Sequence, residues 1–196
     1  MFVQTWWNEK VEKNIETFNG WVGDYKAESK LYMGNYLKSK NYASILDAGC
    51  ANASFLDTLK YLNINMTYVG VDSCKYFVSL NNARSINTIE SDITKMCISD
   101  KSYDIVFSRH TFEHQPHFQP ILLELIRVAK NEACHIFFIK PAETELINYS
   151  QDGNLFHNRY SIEFIEDTLK NNTRVESWKW VEINQQECAL HVYLKE

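Results

Sequence analysis

The stretch Ser44-Ile45-Leu46-Asp47-Ala48-Gly49-Cys50-Ala51-Asn52 begins the pattern that decides the fold. Its apolar start indicates a buried strand, and a helical pattern follows the small residues from Ser54 onward. The order predicts a strand, a tight turn and a helix, so a helix N-terminus and bare backbone N–H groups meet at the carboxyl end of a strand. Gly49 and Ala51 have almost no side chain, and a polar ligand can therefore approach the backbone there.

The same alternation continues along the chain. Strands are predicted at residues 44–48, 67–71, 86–89, 103–108 and 134–139, with helices at 54–62, 74–82 and 118–130. Strands that alternate with helices predict a mostly parallel, Rossmann-like sheet with right-handed crossovers.

The C-terminal part follows another pattern. Ser161 is a suitable N-cap for a helix that ends near Leu169. Two strands follow at 175–183 and 188–194, and the four residues between them are too few for a crossover, so the strands form an antiparallel hairpin. The expected α/β fold is therefore a doubly wound, mostly parallel seven-stranded sheet with a C-terminal antiparallel hairpin and helices on both faces.

Residues 1–40 are rich in aromatic side chains and predict an N-terminal helical cap of two helices around a turn at 19–24. Residues 41–196 form the second and larger unit. The cap aromatics either pack against that unit or form a lid over a ligand, for which Trp21 and Tyr25 are the best placed.

Composition excludes several classes of function. A net charge of −5 argues against a sequence-independent nucleic-acid binder, which needs a broad basic face. The sequence has no run of apolar residues long enough to span a membrane and no secretory signal at its start. The five scattered cysteines include no Cys-x-x-Cys pair. Among the six histidines only His110 and His114 have ligand spacing, four residues apart, and they lack a His-Glu-x-x-His frame, so no metal site is expected. Reduced thiols are the simplest account, and we expect a cytoplasmic protein.

The motifs in this order resemble the class I S-adenosylmethionine-dependent methyltransferases, in particular their small-molecule branch. The segments that carry the resemblance are 45–50, 69–72, 90–93, 103–108, 112–114 and 125–130. The resemblance implies an enzyme that uses S-adenosyl-L-methionine and releases S-adenosyl-L-homocysteine.

The resemblance also implies a set of cofactor-binding residues: Asp47, Gly49, Cys50, Ala51, Asp72, Ser73, Asp92, Ile93, Ser108 and Arg109. The glycine-rich turn accommodates the methionyl part. Asp72 matches the two ribose hydroxyls because a carboxylate has two acceptor oxygens. Asp92 accepts from the adenine amino group beside the N–H of Ile93. The alternative for each aspartate is a helix N-cap.

One departure from the family concerns the turn, where alanine stands at positions 51 and 53 in place of the second and third glycines. Alanine resists positive φ but fits an extended or helical backbone. Weaker cofactor binding, or a protein that has lost it, therefore stays open. A dinucleotide site is disfavoured because Gly-x-Gly-x-x-Gly is not met.

Methyl transfer is an in-line displacement in which alignment supplies much of the rate. A base is needed only when the acceptor retains its proton, and His110 and His114 are the catalytic candidates. Either histidine has the alternative role of capping the next helix. His157 and Arg159 are candidates for substrate binding, together with Trp21 and Tyr25 of the cap.

We expect a small-molecule substrate and a monomer or homodimer, without nucleic-acid or membrane partners. The alternative function is a non-catalytic S-adenosylmethionine-binding or interaction module with the same fold. An oxidoreductase is a more distant alternative.

Overall fold

The computed structural model describes residues 11, 16, 20, 22–150 and 155–195. The helices are α1 (Glu28–Lys38), α2 (Ser54–Tyr61), α3 (Lys75–Ala83), α4 (Gln119–Val128) and α5 (Ile162–Lys170), with a short 3₁₀ turn at Phe112–His114. The strands are β1 (Ser44–Ala48), β2 (Thr67–Asp72), β3 (Thr88–Glu90), β4 (Tyr103–Arg109), β5 (Ala129–Phe137), β6 (Tyr149–Ser150), β7 (Leu155–Phe156), β8 (Val175–Glu182) and β9 (Cys188–Leu194).

Seven strands form one sheet in the order β3-β2-β1-β4-β5-β9-β8. Strands β1 to β5 pair in parallel, whereas β9 pairs antiparallel with both β5 and β8. The predicted fold class is confirmed. The carboxyl ends of β1, β2 and β4 meet at one edge of the sheet, which is where parallel α/β sheets place ligands.

Both faces of the sheet are buried, as the apolar strand sequences predict. One face packs Leu46, Val106 and Phe137 against helices α4 and α5. The other face packs Ile45 and Phe107 against helices α1 and α2. Since successive strand residues alternate between faces, Asp47 and Arg109 lie on the same face as Ile45 and Phe107, beneath α1.

The boundary between α4 and β5 differs from the prediction. Helix α4 ends at Val128 and β5 begins at once with Ala129, whose backbone is already extended (ψ 139°) and pairs with Tyr103. The predicted helix end at Lys130 and the strand start at residue 134 were wrong. The polar residue Glu132 belongs to this strand and is fully buried, because the Tyr36 and Tyr42 hydroxyls hydrogen-bond its carboxylate.

A two-stranded antiparallel sheet, β6 with β7, was not predicted. These strands contribute only two residues each, and no period-2 pattern is visible at that length. The hairpin contacts the 3₁₀ turn after β4.

The second cap helix is present as α1, whereas most of the first falls outside the described ranges, as does Trp21. Val11 of the first segment is fully buried in a cluster with Cys74 and Phe77, against which Ala51 and Leu155 also pack. Val11 therefore lies close to the loop after β1 and to the start of α3. Within the ranges given above, no helix is long and apolar enough to cross a membrane.

Helix α1 is attached to the sheet by three side-chain hydrogen bonds along one of its faces. The pairs are Ser29 with Glu187 (2.6 Å), Tyr32 with His191 (2.8 Å) and Tyr36 with Glu132 (2.8 Å). His191 in turn lies 2.6 Å from Glu132, and both residues are buried. These contacts place the N-terminal end of α1 over the carboxyl ends of the strands.

Candidate active site

The loop after β1 contains three left-handed residues, Gly49 (φ 81°), Ala51 (φ 46°) and Ala53 (φ 57°). Both alanines keep the left-handed conformation that favours glycine, so the extended or helical backbone in which alanine fits easily is not present at these two positions. A Cβ on Gly49 would lie only 2.8 Å from Cγ2 of Thr111, so glycine is required there for space as well. The expectation of bare N–H groups fails at Gly49 and Cys50, since both donate to the carbonyl of Val71.

Asp72 connects the end of β2 to this loop. Its Oδ2 accepts from the N–H of Ala51 and its Oδ1 from the N–H of Cys74, both at 2.8 Å. Burial raises the pKa of Asp72 against the effect of these donors. The Ser73 N–H is a third backbone donor to this carboxylate, which has about four acceptor positions, so one acceptor position stays available beyond the backbone contacts.

Asp47 lies in β1 with an accessible fraction of 4%, and its Oδ2 accepts from the Tyr68 hydroxyl at 2.7 Å. Burial raises the pKa of Asp47 to about 6, while the Tyr68 bond and the charge of Lys30 oppose the rise. Lys30 enters from α1 and donates to the carbonyls of Val22 and Asp24 and to the Ser54 hydroxyl. Burial and Arg109 lower the pKa of Lys30 to about 8, against the attraction of Asp47.

The remaining cofactor candidates differ in their surroundings. Asp92 is exposed and uses Oδ1 for Thr94, through both the backbone N–H (2.8 Å) and the hydroxyl (2.7 Å). The side chain of Ile93 packs in the core, which leaves only its backbone for a ligand. Ser108 is fully buried with its hydroxyl 2.8 Å from that of Thr111. Ser73, partly buried, lies beside Asp72.

A compact polar cluster follows the end of β4, where Arg109 and His110 meet residues from α1 and from the turn before β9. Glu187 accepts at Oε1 from Ser29 (2.6 Å), lies 2.7 Å from Nε2 of His110 and 3.4 Å from the Arg109 guanidinium. The Arg109 Nε also donates to Ser29 at 2.9 Å. Burial alone would raise the pKa of Glu187, but the His110, Ser29 and Asn184 hydrogen bonds lower it to about 2.

His110 has left-handed backbone with φ 55°, a strained conformation for this residue type. Its N–H donates to the Ile136 carbonyl at 2.9 Å, which ties the first residue after β4 to the neighbouring strand β5. Burial lowers the pKa of His110, and the Glu187 hydrogen bond only partly offsets that effect. The imidazole is therefore neutral near pH 7.

Four aromatic rings line up next to this cluster. The centroid of Phe138 lies 5.1 Å from His110 and 5.3 Å from His114, and that of His157 lies 5.3 Å from His114. Nδ1 of His114 lies 2.8 Å from the Phe156 carbonyl and must donate to it, and burial lowers the His114 pKa. The structure thus brings three of the predicted residues together around Phe138.

Two substrate candidates lie outside this ring cluster. The Tyr25 ring packs edge-on against Tyr61 at 5.8 Å, and its ring contacts within the described ranges do not include a histidine. Arg159 pairs through its backbone with Leu146, and its Nε is buried without a hydrogen-bond partner among the described residues.

Sequence reasoning did not select Ser29, Lys30, Phe138 or Glu187 as site residues. Glu187 follows Asn184-Gln185-Gln186, a polar run typical of an exposed turn, so no local pattern singles it out. Lys30 sits among charged residues that are typical of a solvated helix face. In the residues that the structure describes, no group of His, Cys, Asp or Glu side chains has the arrangement of a metal site.

Comparison with known proteins agrees with this geometry. Residues 46–137, just under half of the chain, match the family described as "Methyltransferase domain". No curated protein matches the sequence at a significant level.

Several solved structures share the fold at low sequence identity. The plantazolicin methyltransferase BpumL, solved with a triazolic desmethylPZN analog and S-adenosylhomocysteine, is 17% identical with a TM-score of 0.69, and the alignment covers 98% of this chain and 95% of that one. The Burkholderia thailandensis 1,6-didemethyltoxoflavin-N1-methyltransferase is 10% identical with a TM-score of 0.67, covering 97% and 87%. A Thermotoga maritima protein described as a SAM-dependent methyltransferase, possible histamine N-methyltransferase, is 13% identical with a TM-score of 0.62, covering 94% and 98%.

The resemblance inferred from the sequence motifs is thereby confirmed, including the cofactor class. Residues 46–137 thus match a methyltransferase domain, and the seven-stranded sheet and the loop joined to Asp72 agree with the class I fold that the sequence motifs predict.

Proposed function

We propose that this chain methylates a small molecule that binds beside His110 at the carboxyl ends of β4 and β5. The observation that carries the proposal is the convergence of two sets of residues on one edge of the sheet. Asp47, Lys30 and Asp72 belong to the loop side, and the ring cluster around Phe138 lies on the β4–β5 side. Two ligands can therefore meet between them.

The residues of the loop side fit S-adenosylmethionine. A methionyl group carries both an ammonium and a carboxylate. Asp47 presents a carboxylate to the ammonium, and Lys30, whose three N–H groups already bond Val22, Asp24 and Ser54, adds its positive charge for the carboxylate. Asp72 keeps an acceptor position for a ribose hydroxyl beyond its bonds to Ala51, Ser73 and Cys74. When bound, the cofactor supplies an electrophilic methyl group on a sulfonium. The protein supplies the alignment of the two reactants.

The acceptor side fits a small molecule with a planar or polar group. The His110, His114 and His157 rings lie against Phe138 and offer both aromatic surface and nitrogen atoms. The Burkholderia thailandensis 1,6-didemethyltoxoflavin-N1-methyltransferase and BpumL, each solved with a small molecule, share the fold and support a small-molecule acceptor. The predicted cap over residues 41–196 would cover the same edge, as the buried position of Val11 beside Ala51 and Cys74 supports.

The first experiment tests the cofactor side by isothermal titration calorimetry. Asp72→Ala removes charge-assisted hydrogen bonds of about 1.5–3 kcal/mol each, so affinity for S-adenosylhomocysteine falls at least tenfold. The variant also alters the loop, and a 2′-deoxy analogue of the ligand separates the two effects. Wild type prefers the ribose form over the analogue, and Asp72→Ala loses this preference. An equal preference in both proteins contradicts the role of Asp72.

The second experiment tests turnover with methyl-labelled S-adenosylmethionine and a panel of phenols, heteroaromatic amines and small acids. Release of S-adenosylhomocysteine with at least one acceptor class supports the proposal. Tight cofactor binding without turnover on the whole panel supports the alternative of a non-catalytic binding module.

A further inference from the structure

We infer that Glu187 is the positioning residue of a Glu–His pair in which Nδ1 of His110 is the atom that takes the acceptor's proton. The inference rests on the proposed function and names a residue from the last hairpin that no sequence motif marks. It also decides between the two candidate histidines and between the two nitrogens of the chosen ring.

The first step is the protonation state of Glu187. Ser29 and the Arg109 guanidinium approach its Oε1 as donors, and the Asn184 amide donates to Oε2 at 2.8 Å. A carboxylate surrounded by donors is ionised and can only accept hydrogen bonds. Nε2 of His110, 2.7 Å from Oε1, must therefore carry the hydrogen.

The second step is the other ring nitrogen. A neutral imidazole with hydrogen on Nε2 has its lone pair on Nδ1. In the described part of the chain, Nδ1 of His110 makes no hydrogen bond and is not among the buried unpartnered atoms, so it reaches solvent. The His110 side chain keeps 25% of its surface exposed. The base atom is thus accessible while the rest of the ring is held.

The third step compares His114. Its Nδ1 donates to the Phe156 carbonyl at 2.8 Å, and this bond ties the ring to the β6–β7 hairpin. The His114 ring is thus oriented by a backbone carbonyl, whereas the His110 ring is oriented by the Glu187 carboxylate. The strained backbone of His110 agrees with a functional position, because left-handed non-glycine residues cluster at active sites.

In the reaction the acceptor O–H or N–H bond breaks, and its proton moves to Nδ1 of His110. The electron pair left on the acceptor atom forms the new bond to the methyl carbon. The carbon–sulfur bond breaks and its electron pair stays on sulfur. Glu187 stabilises the imidazolium that results, as a carboxylate behind a catalytic histidine does. The charged and titratable groups that face His110 are Arg109 on β4, Glu113 and His114 on the 3₁₀ turn, His135 on β5 and Glu187 before β9.

The test uses ¹⁵N-histidine-labelled full-length protein and needs no acceptor. Long-range ¹H–¹⁵N spectra distinguish the two tautomers, and His110→Asn assigns the signal. Wild type shows His110 with hydrogen on Nε2, and Glu187→Gln lowers the His110 pKa because the negative charge is gone. Glu176→Gln, an exposed position on β8 of the same hairpin, leaves the titration unchanged.

A kinetic arm follows with any acceptor from the panel. His110→Asn lowers kcat by about 10²–10⁴-fold, and Glu187→Gln lowers it by at least about tenfold while its acid limb moves to lower pH. Glu187→Asp recovers part of the rate. A His110 signal with hydrogen on Nδ1, or a titration that Glu187→Gln does not move, overturns the inference even where calorimetry shows intact cofactor binding. A protein that binds no cofactor refutes the proposed function instead, and the spectra still decide on the pair.

Discussion

Replacing Ala51 by glycine tests whether the loop after β1 is strained. A left-handed backbone costs an L-residue about 1–2 kcal/mol relative to glycine, and Ala51 has φ 46°. Relative to glycine, alanine also stabilises the folded protein by about 0.4–1 kcal/mol, because it restricts the unfolded chain. Its partly buried methyl group adds a little more stability. We therefore expect Ala51→Gly to stabilise the protein by roughly 0.5 kcal/mol.

Ala53 provides an internal comparison. It has φ 57°, but its methyl group is completely buried, which is worth about 0.8 kcal/mol. The relief of backbone strain then cancels the loss of the buried methyl group and of the restriction on the unfolded chain, so Ala53→Gly leaves the free energy of unfolding nearly unchanged. Ala83, exposed at the end of α3, is the matched control, because glycine in a helix costs up to about 1 kcal/mol.

Urea denaturation measures these differences. With a slope of about 2 kcal/mol per molar urea, Ala51→Gly raises the midpoint by roughly 0.25 M. Ala83→Gly lowers it by up to roughly 0.5 M. If Ala51→Gly lowers the midpoint as Ala83→Gly does, the loop is not strained at residue 51 and the reasoning is refuted.

Two further predictions concern helix α1. Tyr36→Phe removes the hydroxyl 2.8 Å from the buried Glu132 carboxylate and lowers the free energy of unfolding in urea by about 1.5–3 kcal/mol. Tyr61→Phe, at an exposed ring, is the control and has little effect. Equal effects of the two substitutions would contradict a stabilising bond between Tyr36 and Glu132. The pKa of Lys30 falls to about 8 on folding, so between that pH and its ordinary value of 10.5 the unfolded chain binds more protons. The stability of wild type relative to Lys30→Met should therefore rise from pH 8 to pH 10, and a flat difference would show that Lys30 titrates normally.

The strand–helix framework was predictable because each unit carries its own local signal. The apolar run before Asp47, the period of α4 and the alternation in β9 each needed only a short window of sequence. The Ser161 cap also followed from its neighbours, and its hydroxyl accepts from the Phe164 N–H. The start of β5 was missed because Glu132 looks exposed until the distant tyrosines of the N-terminal segment are folded against it.

The site was only half predictable for the same reason. Asp72 and His110 follow strands, and the topology brings strand ends together whatever the loops do. Glu187 and Lys30 reach the site through contacts between segments far apart in the chain, and such contacts leave no periodic signal. The left-handed alanines were missed because propensity favours another backbone at those positions, and the loop contacts to Val71 and Asp72 override it.

The attachment of α1 to the sheet also sets an order of folding. Ser29 and Tyr32 bond to residues 158 and 159 positions later in the chain. During synthesis this early helix emerges long before the last hairpin exists, so it has no polar partners on the sheet while the parallel core assembles. Pairings of such sequence separation form late because closing long loops is entropically costly. The candidate active site is consequently completed when the C-terminal hairpin docks, and incomplete chains carry the core without a finished site.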